Sequence, residues 1–326
     1  MLFITVIVIQ DRFITYAKRT KSYELVRPLV YNIAMLKMIE KHWPQALPYL
    51  RLMRADRPIG TLLLLWPAWW ALWSAAEGTP AFHVWFIFTL GVFLMRSAGC
   101  VINDIADRKY DGHVSRTRSR PLAVNEVTVK HAWTLFIVLL SLSASLLLFL
   151  NLLTFYLALA AVFIAMTYPL MKRYTYLPQA YLGVAFSFPI PMVYAQITGT
   201  VPKEAWLLFV ANILWTIAYD TIYAMVDRKD DLKIGIKSTA ILFGDLDRVI
   251  IGIIQLLTVF AFYLFGQQTD MGGLYYLAVI IIIWLFAYQQ LLIVGRNEEK
   301  CFKAFLHNNW VGMVLFIGLF LDYLAR

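Results

Sequence analysis

Two acidic stretches interrupt an otherwise apolar chain: Asn103-Asp104-Ile-Ala-Asp107-Arg108-Lys-Tyr-Asp111 and, farther along, Asp220-Thr-Ile-Tyr223-Ala-Met-Val-Asp227-Arg228-Lys-Asp230-Asp231. Each sits where a long apolar run ends. Carboxylates this close repel one another and are costly to hold near lipid unless a cation neutralises them. A hard divalent ion does this well, and Mg²⁺ characteristically joins one or two carboxylates to phosphate oxygens. Positions four apart share a helical face. Asn103, Asp107 and Asp111 therefore form one stripe, and Asp227 and Asp231 a second, with Asp220 two turns earlier on the same side. Two such stripes facing each other would supply oxygen ligands for Mg²⁺ ions clasping a diphosphate. Arg116, Arg118 and Arg120 trail the first stretch, and Lys233 and Lys237 the second. Arginine grips phosphate bidentately and lysine acts as a point charge. Beside Mg²⁺ they would stabilise a departing diphosphate, where charge develops as the bond breaks. Ordinary solvated loops would account for one Asp-x-x-x-Asp at the end of an apolar run. Two of them, each followed by bases, point to a site.

The elements that must position these stripes are membrane helices. The chain has 326 residues and is 61% hydrophobic, too apolar for a soluble enzyme. Apolar runs of spanning length recur near 58–76, 82–102, 131–150, 153–171, 178–198, 204–226, 249–266, 274–294 and 309–325. The expectation is an all-α integral membrane protein, about nine transmembrane helices bundled around a central cavity. Pro67, Pro169, Gly183, Pro189 and Pro191 fall inside these runs, where neighbouring helices can satisfy the freed backbone groups.

Basic residues set the orientation. With the N-terminus in the cytoplasm, 26 of the 29 Lys and Arg fall on the cytoplasmic side; Lys203 and Arg326 lie opposite and Arg96 lies within a run. That asymmetry places both acidic stretches at the cytoplasmic face and explains the net charge of +9 without nucleic acid. Residues 1–38 carry no motif and lack the features of a signal peptide. Met35 and Met38 offer later starts, so this segment reads as an extension ahead of a single domain, 39–326. Cys100 and Cys301 have no metal-site spacing, and the five histidines show no paired spacing. His113 reads as a loop residue that could touch phosphate.

Three basic groups remain open to two readings. Arg96 lies seven residues before Asn103 and points to the same face, deeper in the bundle; an intramembrane arginine needs an anion, either a motif aspartate or a substrate. Arg54 and Arg57 precede the first run and serve either as membrane-edge residues or as substrate contacts. Lys172 and Arg173, after Tyr168-Pro169, are equally topology markers or site residues.

The paired signatures Asn-Asp-x-x-Asp-Arg-x-x-Asp and Asp-x-x-Tyr-Ala-x-x-Asp-x-x-Asp-Asp resemble those of the UbiA family of membrane aromatic prenyltransferases. Arg54-Ala-Asp-Arg57-Pro-Ile-Gly-Thr, Leu94-Met-Arg96-Ser-Ala-Gly-Cys-Val-Ile-Asn103, Tyr168-Pro-Leu-Met-Lys172-Arg173-Tyr and Lys233-Ile-Gly-Ile-Lys237-Ser-Thr-Ala support the likeness, which runs from about residue 39 to the C-terminus. The resemblance implies a nine-helix fold in the bacterial inner membrane with its site open to the cytoplasm. It implies transfer of a polyprenyl group from polyprenyl diphosphate to the carbon ortho to the hydroxyl of 4-hydroxybenzoate, in ubiquinone biosynthesis, with other quinone-pathway enzymes as partners. In that scheme Mg²⁺ sits on Asn103, Asp107, Asp111, Asp227 and Asp231. Arg108, Arg116, Arg120, Lys172, Arg173 and Lys237 contact diphosphate, and Arg57, Arg96 and Tyr223 the aromatic acceptor. Asp107, Asp111, Asp227, Asp231 and Arg173 are the groups on which catalysis depends. The alternatives are a sibling enzyme with another aromatic acceptor and a phosphate or cation transporter. A transporter would place acids near the midplane on broken helices, whereas here they cluster at one face.

Overall fold

The computed structural model describes residues 33–112 and 117–326, so Arg116, His113 and residues 1–32, most of the segment expected to be an extension, lie outside the described residues. Helices account for the architecture, and no strand occurs among the described residues. In chain order they are α1 (Ile33–His42), α2 (Leu47–Leu52), α3 (Ile59–Ala75), α4 (Phe82–Asp111), α5 (Val129–Leu146), α6 (Leu152–Tyr174), α7 (Pro178–Ser187), α8 (Pro189–Thr198), α9 (Lys203–Ile234), α10 (Thr239–Phe243), α11 (Asp247–Gln268), α12 (Gly273–Leu292) and α13 (Glu298–Leu324). Among the described residues, eight segments are long and apolar enough to cross a membrane, with α7 and α8 counted as one, and α3 is a shorter apolar helix of 17 residues. These are the nine expected spans.

The helices form a closed ring. α3 packs on α4, α4 on α6, α6 on α7 and α8, α7 on α9, α9 on α11, α11 on α12, α12 on α13, and α13 returns to α3. α5 leans on the outside of α4, and α9 also touches α13. Lipid cannot drive helices together by hydrophobicity alone, so close backbone approach and interhelical hydrogen bonds carry the packing. Indole donors supply several. Trp66 Nε1 donates to Asn309 Oδ1 and Trp215 Nε1 to Asn308 Oδ1, each at 2.9 Å, and Trp70 Nε1 donates to the Gly312 carbonyl, also at 2.9 Å. All three tie α3 or α9 to α13. Between α7 and α9, Asn212 Nδ2 donates to Ser187 Oγ at 2.8 Å.

α9 and α4 outrun the bilayer by the widest margin. α9 has 32 residues and α4 has 30, so at 1.5 Å per residue they extend about 48 and 45 Å against a hydrocarbon core of about 30 Å. Their surplus turns hold the acidic stretches. The expected spans stopped short because apolar character ends near residues 102 and 226, while helical backbone continues through the charged turns. α9 ends only at Gly235, whose φ of 73° closes the helix in a left-handed cap. α13 likewise begins earlier than residue 309: the Asn297 side chain accepts from the Lys300 amide, and Glu298 and Glu299 favour the helix N-terminus.

Gly183 lets α7 approach α9 closely, since an added Cβ would lie 3.1 Å from the Ile213 carbonyl oxygen. Gly183→Leu therefore pushes the two helices apart. It should destabilise the purified protein by about 2 kcal/mol, seen as a lower thermal midpoint in detergent.

Candidate active site

The projecting ends of α4 and α9 converge on one cavity of about 90 Å³. Asp107 and Asp111 line it from α4, and Asp220, Tyr223, Asp227 and Asp231 from α9. Arg120, Lys172 and Lys237 bring positive charge to the same wall, with Thr117, Tyr168, Gln179 and Ser238 between them. A second cavity of about 210 Å³ shares Asp107, Lys172 and Ile236 with the first and adds Arg173, Ile234 and Gly235.

Backbone contacts hold the lysine-bearing turns in register. The Lys237 amide donates to the Lys172 carbonyl at 3.0 Å, which docks the turn after α9 onto the end of α6. Lys237 Nζ donates to the Tyr174 carbonyl at 3.3 Å and lies 5.3 Å from the Tyr176 ring centroid. From α7, Gln179 Oε1 accepts from the Thr239 amide at 2.9 Å, while Thr221 and Thr239 share a hydrogen bond of 2.7 Å. The loop between α9 and α10 is thus fixed on both sides.

A chain of alternating charge runs beside the first stripe. Asp104 is 1% exposed, and Arg54 Nη2 grips its two oxygens at 2.9 and 2.8 Å. Arg120 Nη1 lies 3.0 Å from Asp104 Oδ1 and donates to both Asp111 oxygens at 2.9 Å. Asp104 and Asp111, seven residues apart, share a helical face, so one guanidinium bridges them. Arg54 takes a left-handed backbone, φ 59°, a strained conformation for a residue with a Cβ. Its contacts to Asp104 and to the Arg51 carbonyl, 2.7 Å away, hold it there. Asp107 faces Lys172 Nζ at 3.9 Å and Arg173 Nη2 at 3.6 Å. Burial pushes the Asp111 carboxyl above its ordinary value; Arg120 pulls it down, and Asp104 and Asp107 add to the rise.

The donor set fits a hard divalent cation. Five carboxylates from two helices face one cavity, and Asn103 Oδ1, one turn before Asp107, is buried with no hydrogen-bond partner. Among the described residues no three acidic, His or Cys side chains stand close enough together to hold an ion unaided. Such sparseness suits Mg²⁺, which keeps waters and takes phosphate oxygens alongside one or two carboxylates.

Residues 64–315 match the model of the UbiA prenyltransferase family. This chain belongs to that family. Among its curated relatives are 4-hydroxybenzoate octaprenyltransferases from Citrobacter koseri, 57% identical over 86% of this chain and 96% of the relative, and from Vibrio campbellii, 58% identical over 86% and 98%. Two solved UbiA homologs share the fold. The apo form from Aeropyrum pernix K1 superposes with a TM-score of 0.71 at 24% identity, covering 80% of this chain and 97% of that one. The homolog from Archaeoglobus fulgidus bound to GPP and Mg²⁺ gives 0.65 at 20% identity, covering 86% and 100%.

Within this UbiA-family protein, Asp107, Asp111, Asp227 and Asp231 gather with Arg120, Lys172, Lys237 and Tyr223 on one cavity, and Arg173 lines its neighbour. Other expected residues sit elsewhere. Asn103 is not on the cavity wall. Arg57 lies 3.5 Å from Asp56 with its side chain nearly half exposed, and Arg108 and Arg118 are exposed. Lys233 pairs with Asp230 at 3.3 Å. Arg96 lies deeper: its guanidinium is 5.8 Å from the Phe186 ring centroid, and its Nε is buried without a hydrogen-bond partner. Gly60 makes room for it, since a Cβ there would come within 2.5 Å of Arg96 Nη2. Residue patterns missed Asp104, which sits in the first signature yet serves two arginines. Its seven-residue offset from Asp111 was the available signal.

Arg54 and Arg51 provide a matched pair for testing the buried network. Arg54→Met strips one cation from a buried carboxylate and should lower stability by about 3 kcal/mol. Arg51 pairs with Glu126 at 3.0 Å, but both side chains are more than a third exposed, so Arg51→Met should change it by less than about 1 kcal/mol. Thermal midpoints in detergent measure both.

Proposed function

We propose that this protein transfers a polyprenyl group from polyprenyl diphosphate to the ring carbon ortho to the hydroxyl of 4-hydroxybenzoate, with Mg²⁺ as cofactor. One observation carries the reading. Carboxylates from two separate helices and three basic side chains face a single cavity at the end of an apolar ring of helices. The identities of 57 and 58% to 4-hydroxybenzoate octaprenyltransferases support the acceptor. The lopsided distribution of lysine and arginine supports a bacterial inner-membrane location with the cavity on the cytoplasmic side.

Asn103, Asp107 and Asp111 on α4, with Asp227 and Asp231 on α9, would hold Mg²⁺. When bound, the ion supplies Lewis-acid neutralisation of phosphate charge. The chain's own cations share that task. Arg120, Lys172 and Lys237, on the wall of the cavity, and Arg173, beside it, bind the diphosphate and favour its departure with the electron pair of the allylic C–O bond. The apolar ring receives the prenyl chain and keeps water from the allylic cation. Tyr223, whose ring lies 4.5 Å from that of Phe305, presents an aromatic face to that cation. Arg96 has spare donor capacity in a buried setting and fixes the acceptor through its carboxylate. The ortho carbon then forms the new C–C bond and loses its proton. Asp220 and Tyr223, on the cavity wall, are placed to take it.

The test supplies membranes holding the protein with 4-hydroxybenzoate, Mg²⁺ and prenyl diphosphates of several lengths. Product mass reports acceptor and donor together. Asp107→Asn and Asp227→Asn should each lower transfer by about 100-fold or more while the protein still inserts. Retention of most activity by both variants contradicts the two-stripe mechanism, and products from other aromatic acceptors alone would point to a sibling enzyme.

A further inference from the structure

Two cavities meet at Lys172, and they differ in depth and in charge. The first reaches inward to Tyr168 on α6 and Asp220 on α9. The second, of about 210 Å³, lies outward of it, between the last turn of α6 and the end of α9. Lys172 and Arg173 line one side and Ile234, Gly235 and Ile236 the other, together with Asp107. Ile234 stands about four turns farther along α9 than Asp220. Among the described residues, five carboxylates and three cations line the inner cavity, whereas one carboxylate and two cations line the outer one.

The outer cavity has a fixed frame. Arg173 Nη2 donates to the Ala106 carbonyl at 2.9 Å, which ties α6 to α4. The Ile236 amide donates to the Asp231 carbonyl at 3.0 Å, and the Lys237 amide to the Lys172 carbonyl, also at 3.0 Å. The turn after α9 is thereby held against α6. Gly235 is exposed, and among the described residues no atom lies within 4 Å of a Cβ placed there. Lys172 and Arg173 keep 30% and 35% of their side chains exposed. The cavity therefore opens to water at this end of the bundle.

Prenyl transfer leaves inorganic diphosphate in the inner cavity, and an anion of that charge is barred from the apolar helices. Electrostatic potential directs it toward a wall where cations outnumber carboxylates. Lys172 lines both cavities, and its Nζ lies 3.9 Å from Asp107 Oδ2, where the two join. We propose that the outer cavity is the passage through which inorganic diphosphate leaves the protein, with Lys172 handing the anion from the inner wall toward Arg173. This inference rests on the prenyl-transfer reading above and names the route by which that reaction's product departs.

A passage has a kinetic signature of its own: narrowing it slows entry and release alike and leaves their ratio, the affinity, unchanged. Ile234 lines the outer cavity and not the inner, so Ile234→Cys places a reactive handle there, while Cys100 and Cys301 are both buried. The purified full-length variant is mixed with Mg²⁺ and radiolabelled inorganic diphosphate, and rapid filtration follows entry and release. A benzyl methanethiosulfonate adduct on the introduced thiol should slow both rates by about tenfold or more without changing the affinity, and dithiothreitol should restore them. The same adduct on Leu232→Cys, an exposed position on neither wall, should leave both rates as they were. Rates unchanged by the adduct at 234 overturn the inference. An adduct there that weakens affinity also overturns it, by making the outer cavity part of the bound site, and so does equal slowing from the adduct at 232. Failure of the parent reading has a different signature: the unmodified protein then takes up no diphosphate with Mg²⁺, and the inference falls with it.

Discussion

Everything at the functional end of this protein answers to one constraint: two helices bring more carboxylate to the edge of an apolar bundle than that environment tolerates unaided. Repulsion and desolvation both oppose such crowding. The protein responds by placing a cation at several points along it. Arg54 and Arg120 share Asp104, Arg120 also serves Asp111, and Lys172 and Arg173 approach Asp107. Behind the second stripe, Asp247 is approached by both Arg296 and Arg228.

The ring of helices exists to make that end precise enough for chemistry. Interhelical bonds from Trp66, Trp70 and Trp215 fix α13 against α3 and α9. Backbone pairing of Lys237 with Lys172 fixes the two basic turns against each other. Most buried polar side chains among the described residues are hydrogen-bonded. The exceptions include Asn103 Oδ1 and Arg96 Nε, one in the first stripe and one deeper along the same helix. Unpartnered buried polar atoms are costly.

Much of this was legible in residue patterns. Apolar runs marked all nine spans because lipid demands a long, uninterrupted apolar helix. Spacing of four placed Asp107 and Asp111, then Asp227 and Asp231, on shared faces, and the structure brings both sets to one cavity. Helix lengths were less legible, since hydropathy records where apolar side chains stop and not where backbone hydrogen bonding stops. α4 and α9 run on through charged turns for that reason. The arginine pairings were not legible at all. Arg54 meets Asp104 across fifty residues and Arg296 meets Asp247 across forty-nine, contacts that only the folded ring creates. Arg57, read as an acceptor contact, lies beside Asp56. Arg108 and Arg228 follow their aspartates identically in sequence, yet one is exposed and the other drawn to a buried carboxylate.

The central claim is that the two stripes and a divalent cation hold the diphosphate together, which makes the affinities for ion and diphosphate mutually dependent. Calorimetric titration of a short prenyl diphosphate into the purified protein, with Mg²⁺ present and then with Mg²⁺ chelated, measures that coupling. The account predicts binding that strengthens by about 100-fold or more when Mg²⁺ is present. Equal affinity under the two conditions would contradict it.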